Sequence, residues 1–211
     1  VILLNAGTIA LLVYLIVLIL LSSGWREVFI SSLSYRSCLL FMILFPIAAL
    51  FTIPIHSTLT LNMGVVVLLV TAVYCLDKLE PWYRKIYVIT VTLLIGVVYA
   101  LFGHFVILDP IFIWVSSRWD PVIVSVACVL LAVQTIEEQL IIITVGFLFG
   151  DAIMQGMTGG AGITLGTAAW YDQWWISIIT ARLCAWSLES VMLLGKNTAG
   201  FFYERLKSWK K

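Results

Sequence analysis

The stretch TIEEQLIIITVGFLFGDAIMQGMTGGAGITLGTAAWYDQWW runs from Thr135 to Trp175. It opens on two adjacent glutamates, Glu137 and Glu138, and climbs into an apolar run. Asp151 interrupts that run before it ends. A glycine-rich segment follows, and then a second aspartate, Asp172, set among aromatics. Carboxylates in hydrocarbon need a reason, and the rest of the chain is mostly hydrocarbon.

Hydrophobic residues make up 63% of the 211 residues, charged residues 11%, and the mean hydropathy is +1.11. A soluble domain carries about 25% charged residues. This chain lacks the polar surface to stay in water, so it reads as an integral membrane protein. The net charge of +1 gives nucleic acid no purchase. Cys38, Cys75, Cys128 and Cys184 fall in or beside apolar runs without CxxC spacing, which points to small buried hydrophobes rather than a metal or disulfide framework. The chain opens on Val1. No basic residue precedes the apolar core of Val1 to Ser23, so this segment is expected to be a retained helix rather than a signal peptide.

A spanning helix needs roughly 20 mostly apolar residues. Uncharged runs predict seven hydrophobic helices: Ile2–Leu21, Cys38–Ile55, Leu59–Leu76, Ile86–Phe105, Val122–Thr135, Leu140–Gln155 and Trp174–Leu194. The fifth and sixth are short, so tilted spans and a re-entrant hairpin both remain open. With the N-terminus outside, the cytoplasmic side holds Arg26, Arg36, Lys78, Arg84, Lys85, Lys196, Arg205, Lys207, Lys210 and Lys211. The outer loops hold only Arg118, a strong positive-inside bias. The C-terminus is then cytoplasmic. Trp25, Trp82, Tyr83, Trp114, Trp119, Trp170, Tyr171, Trp174 and Trp175 cluster where spans meet headgroups. Pro46 and Pro54 read as a kink in the second span. The predicted class is an all-α polytopic bundle over 1–195. A basic, aromatic cytoplasmic tail follows over 196–211, in which Phe201, Phe202, Leu206 and Trp209 form a stripe suited to anionic lipid.

Asp151 falls about eleven residues into the sixth span, roughly 16 Å from its cytoplasmic end. A lone carboxylate there costs at least ~2.5 kcal/mol on insertion scales. Arg182, eight residues into the seventh span, counts to a similar depth. A polar clasp between Asp151 and Arg182 is the simplest expectation, with a proton or substrate pathway through Asp151, Arg182, Glu189 and Asp172 as its rival. Glu189 lies on the Arg182 face, two turns deeper, toward Gln134 and Gln139. Gly146 and Gly150 form GxxxG beside Asp151, and Gly162 and Gly166 repeat the spacing. Both pairs are expected to let helices approach closely. The Gly156 to Gly166 segment lacks the GK[ST] of a phosphate loop and is expected to be an outer loop or re-entrant turn, with a backbone that lines a water-filled cavity as the alternative.

Glu137 and Glu138 invite comparison with membrane metalloproteases whose motif is EExxxR. Ile142 stands where the arginine belongs, so that reading fails. The pair is expected to be solvated at the cytoplasmic turn. His56, His104, Asp109, Asp120 and Asp172 share the predicted outer side without metal-ligand spacing, so neither metal nor cofactor is expected.

At GFLFGDAIMQ followed by ITLGTAAWYDQWW, the chain resembles the YphA-type small integral membrane proteins of Bacillus-like spore-formers. The resemblance rests on Gly150 and Asp151 in a late span, then Gly166 and Asp172 before the last span. It implies a multi-pass plasma-membrane location in a bacterium and a sporulation or envelope role, and it supplies no catalytic residues. Three classes follow. The leading one is a non-enzymatic envelope-associated assembly factor, whose partner beyond the lipid bilayer the sequence does not name. The second is a small transporter or channel. The third is a membrane enzyme acting on lipid at the outer face through Asp172, Asp151 and His104.

Overall fold

Pro81 precedes a long, mostly apolar helix, and Asp109-Pro110 ends it. The residue before a proline is pushed out of helical geometry, and Asp109 is extended at φ −135. This is a computed structural model. It describes residues 5–23, 35–158 and 162–208, with side chains described except at 35, 110, 189 and 192–208. Seven α-helices stand among the described residues: α1 Thr8–Ser22, α2 Tyr35–Ala49, α3 Met63–Lys78, α4 Trp82–Leu108, α5 Asp120–Ala132, α6 Ile136–Met157 and α7 Ala168–Ser208. The helical architecture agrees with the composition. The helix ends do not follow the uncharged runs.

The second predicted span was to reach Ile55, but α2 stops at Ala49. Thr52–His56 is instead a strand, β1, hairpinned to β2 at Leu59–Asn62, and β3 at Ile163–Leu165 pairs parallel with β2. The local reason is legible in TIPIHSTLTLN: β-branched residues alternate, and Pro54 cannot donate to a helix ladder. Pro54 therefore sits on an edge strand beside a register shift and is not a kink in a span. Pro46 does lie inside α2.

The hairpin of α5 and α6 is set by its caps. Pro121 enters the first turn of α5, Val133 is extended, and Thr135 opens α6 from an extended conformation. Glu137 and Glu138 fall in the first turn of α6, where the helix dipole favours negative charge. α6 thus gains residues at both ends of the predicted sixth span. Its 22 residues measure about 33 Å at 1.5 Å per residue.

α4 and α6 are the two described helices long and apolar enough to cross a membrane. They are packed backbone to backbone. A Cβ added at Gly150 would stand 2.6 Å from the Gly96 carbonyl oxygen, and one at Gly96 would stand 2.8 Å from that of Gly146. Only glycines allow that approach. Tyr99 stacks on Phe147 across the same seam at 4.8 Å. The GxxxG at Gly146 and Gly150 therefore faces α4, where the sequence suggested the seventh helix. Gly162 and Gly166 belong to no helix. Gly162 packs on the Thr58 carbonyl beside the sheet, and Gly166, at φ 81, turns the chain into α7 against Val65.

The other helices pack around this pair. Val65, Leu68, Ile142, Phe147, Trp170 and Trp174 are buried, while Leu40, Val70, Leu94 and Leu131 point outward, Leu131 at 90% exposure. A soluble monomer rarely shows a contiguous apolar patch above a few hundred Å², so this exterior suits lipid. α7 stays helical to Ser208, through most of the predicted tail. The expected Phe201 stripe and residues 209–211 lie outside the described side chains.

Candidate functional site

The first turn of any helix leaves backbone N–H groups without intrahelical partners. At α1 the cap position is Gly7, at φ 92, which brings no side chain to satisfy them. Asp172, at the start of α7, does so from across the bundle. Its Oδ2 accepts from Gly7 N–H at 2.9 Å and its Oδ1 from Ala10 N–H at 2.7 Å. Arg118 Nη2 donates to the same Oδ2 at 2.6 Å and to the Ala169 carbonyl at 3.2 Å. The Asp172 residue is fully buried. Gln173 donates to the Arg118 carbonyl at 2.8 Å and accepts from the Tyr99 hydroxyl at 2.9 Å, which ties the cluster to α4.

A similar arrangement recurs nearby. Asp120, also fully buried, accepts from the backbone N–H groups of Trp114, Val115 and Ser116, and so folds the loop after α4 onto α5. Asp151 accepts from Gln155 Nε2 at 2.8 Å. That same amide donates to the Thr164 carbonyl at 3.0 Å, and its oxygen accepts from Thr164 N–H at 2.8 Å. Gln155 therefore closes the free edge of β3, and Asp151 orients it. Asn62 caps α3, donates to the Ala49 carbonyl and accepts from Tyr171, joining α2, α3 and α7.

Asp151 and Arg182 are not brought together. Trp174 Nε1 donates to Thr144 Oγ1 at 2.9 Å, which fixes the register of the antiparallel α6 and α7. From that level Asp151 lies roughly 10 Å toward the sheet, and Arg182 about 12 Å the other way. Counting depth from the uncharged runs hid this, because α6 and α7 both begin earlier than those runs do. Arg182 lies beside Ile136 and Leu140 at the start of α6. The Glu189 side chain lies outside the described residues. Gln134 is exposed, and Gln139 is buried and bonded to the Val133 carbonyl at 3.5 Å.

Glu138 corrects a second expectation. It is 3% exposed rather than solvated. It pairs with Arg84 Nε, and Thr135 Oγ1 donates to it at 2.8 Å, so it binds the start of α6 to α4. Glu138→Ala is expected to cost about 1.5 kcal/mol, the low end for a hydrogen bond to a charged group, because the Arg84 side chain is 42% exposed and water can replace its partner. A thermal melt in detergent checks this; an unchanged midpoint would mean that the contact holds nothing.

His56 is exposed at the hairpin turn beside Ser57 and Thr58. Asp109 accepts from Ile111 N–H two residues on. Among the described residues no group of three or more histidines, cysteines or carboxylates is placed to hold a metal.

The family model described as YphA-like integral membrane protein matches residues 25–204. The chain belongs to that family. No curated protein and no solved structure matches it. Membership of the YphA-like family settles that the apolar exterior faces a bilayer, and its description specifies a membrane protein without an activity. In this YphA-like chain the residues that sequence reasoning missed are Arg118 and Arg84, the actual partners of buried acids. Arg118 was visible as the only lysine or arginine between Lys85 and Arg182. Asp172 needed a partner there for the same reason as Asp151.

Proposed function

We propose that this YphA-like chain is a non-enzymatic polytopic protein of a bacterial plasma membrane, acting as an assembly or envelope-associated factor. Sporulation is one setting for it. In this reading it crosses the bilayer seven times, with the N-terminus outside and the basic tail 196–211 on anionic lipid at the cytoplasmic face. The observation that carries the reading is the use made of the buried carboxylates. Asp172 holds the start of α1, Asp120 a loop, Glu138 a helix pair, and Asp151 the amide that closes the sheet. The first three hold backbone or a neighbouring helix directly, and Asp151 acts through Gln155, which holds the backbone of Thr164. A carboxylate that relays protons or attacks a substrate needs access and freedom to change state.

The basic residues support the orientation. Lys78, Arg84 and Lys85 share the end opposite the sheet, and Arg118, at the sheet end, is neutralised by Asp172.

A transporter is the competing class, and Asp151 separates the two. Asp151→Asn still presents an oxygen to Gln155. It is expected to fold at wild-type yield, retain the wild-type cellular phenotype, and leave proteoliposome proton flux at the level of protein-free vesicles. A wild-type flux that vanishes in folded Asp151→Asn would replace the scaffold with a transporter.

A further inference from the structure

α5 is too short to cross a bilayer by itself. Its 13 residues measure about 20 Å, against roughly 30 Å of hydrocarbon. One end reaches the start of α4, where the Tyr87 hydroxyl donates to the Ala132 carbonyl at 3.0 Å. The other end stops early. A Cβ added at Gly103 would stand 3.7 Å from Pro121 Cγ and 2.8 Å from Met154 Sδ. α5 thus begins about 8 Å short of the end of α4 at Leu108, at a level that α6 still occupies.

The connection from α4 to α5 covers that difference. It does not arch away from the bundle but runs back down α4. Phe112 meets Phe105 with ring centroids 6.4 Å apart, and Trp114 meets Phe102 at 5.9 Å. No charged residue stands between Asp109 and Arg118. Ile111, at 79% exposure, Trp114 and Val115 point outward and continue the apolar exterior of Leu101, Phe105 and Leu108. The N–H groups of this segment are satisfied from within it. Ile111 and Phe112 donate to Asp109. Trp114, Val115 and Ser116 donate to the buried Asp120 carboxylate. Arg118, Trp119 and Asp120 donate to Ser116. In water these donors need no such provision. In a bilayer an unsatisfied one is costly.

We infer that residues 110–117 form a re-entrant strap in the leaflet at the sheet end, packed against lipid acyl chains just below the headgroups. The partner of this surface is the bilayer itself. Trp114 then sits where interfacial tryptophans are favoured, and strap and α5 together complete one crossing. Asp120 permits this, because one carboxylate serves three backbone donors that no water reaches in the leaflet. The inference rests on α4 and α6 crossing the bilayer and not on the assembly role.

The test uses the full wild-type chain in phosphatidylcholine vesicles. It is footprinted in parallel by a diazirine carried on a lipid acyl chain and by a water-soluble diazirine. Labels are located by mass spectrometry and normalised to the denatured chain. Leu94, outward-facing and midway along α4, is the standard for the acyl layer, and the exposed turn at His56 to Thr58 is the standard for water. Ile111 to Val115 should be labelled from the acyl chains as heavily as Leu94, and should lack the aqueous labelling that the turn shows. Labelling of Leu94 from the acyl chains with Ile111 to Val115 labelled from water would leave the crossing intact and overturn the strap. Protection of the segment from both reagents would overturn it as well, in favour of a protein cover. Aqueous labelling of Leu94 would remove the crossing on which the strap rests.

Discussion

Asp172→Ala is expected to destabilise the protein by about 3–5 kcal/mol, the range for breaking a buried ion pair from one side. The loss has two sources. The guanidinium of Arg118, whose side chain is 31% exposed, keeps its charge without its carboxylate. The N–H group of Ala10 loses its acceptor in a buried position, and that of Gly7 in a partly buried one. α1 has only 15 residues and no cap of its own, so its docking on α7 should fail first. Asp172→Asn should lose less, because one amide oxygen can still accept while the second position becomes a donor. Fluorescence-detected size exclusion after graded heating measures the effect. Equal midpoints for wild type and Asp172→Ala would remove the cluster from the account.

Gly150→Ala should be the other large effect. The added methyl would meet the Gly96 carbonyl oxygen at 2.6 Å and the Tyr99 ring at 2.7 Å. Neither is the end of a flexible chain, so α4 and α6 must part. Overpacking of this kind costs about 1–3 kcal/mol. Gly156→Ala, on the same helix, has nothing within 4 Å of the new atom. There the gain in helix preference, about 0.5–1 kcal/mol, should appear alone. The two substitutions should therefore shift the melting midpoint in opposite directions. A loss of similar size at both positions would mean that the glycine seam is not what holds the pair.

Composition carried the membrane assignment and the helical class, because no soluble arrangement buries so much apolar surface. The helix ends were harder. In a soluble helix the switch from an apolar stripe to a polar loop marks the end, whereas in a chain this apolar the run continues through turn and strand alike. Here the ends are set by single residues: Asn62 and Thr135 at helix starts, Pro81, and Asp109 before Pro110. Misplacing α6 and α7 by a turn or more each was enough to set Asp151 and Arg182 at one depth on paper. The need for partners was legible from burial cost alone. Their identity was not, because Arg118 and Asp172 are 54 residues apart and meet only through the packing of α5 on α7. The hairpin at Thr52–Asn62 was present in the alternation of its residues, but its apolar character let it pass as the end of one span and the start of the next.

The central claim, that buried charge in this protein holds segments together, is tested most directly by a double-mutant cycle on Arg118 and Asp172. Thermal midpoints are measured for wild type, Arg118→Leu, Asp172→Ala and the pair. If Asp172 is a clasp, removing Arg118 as well relieves the stranded guanidinium. The double mutant should then melt above Asp172→Ala and below wild type. Strictly additive losses, with the double mutant the least stable of the four, would contradict the account.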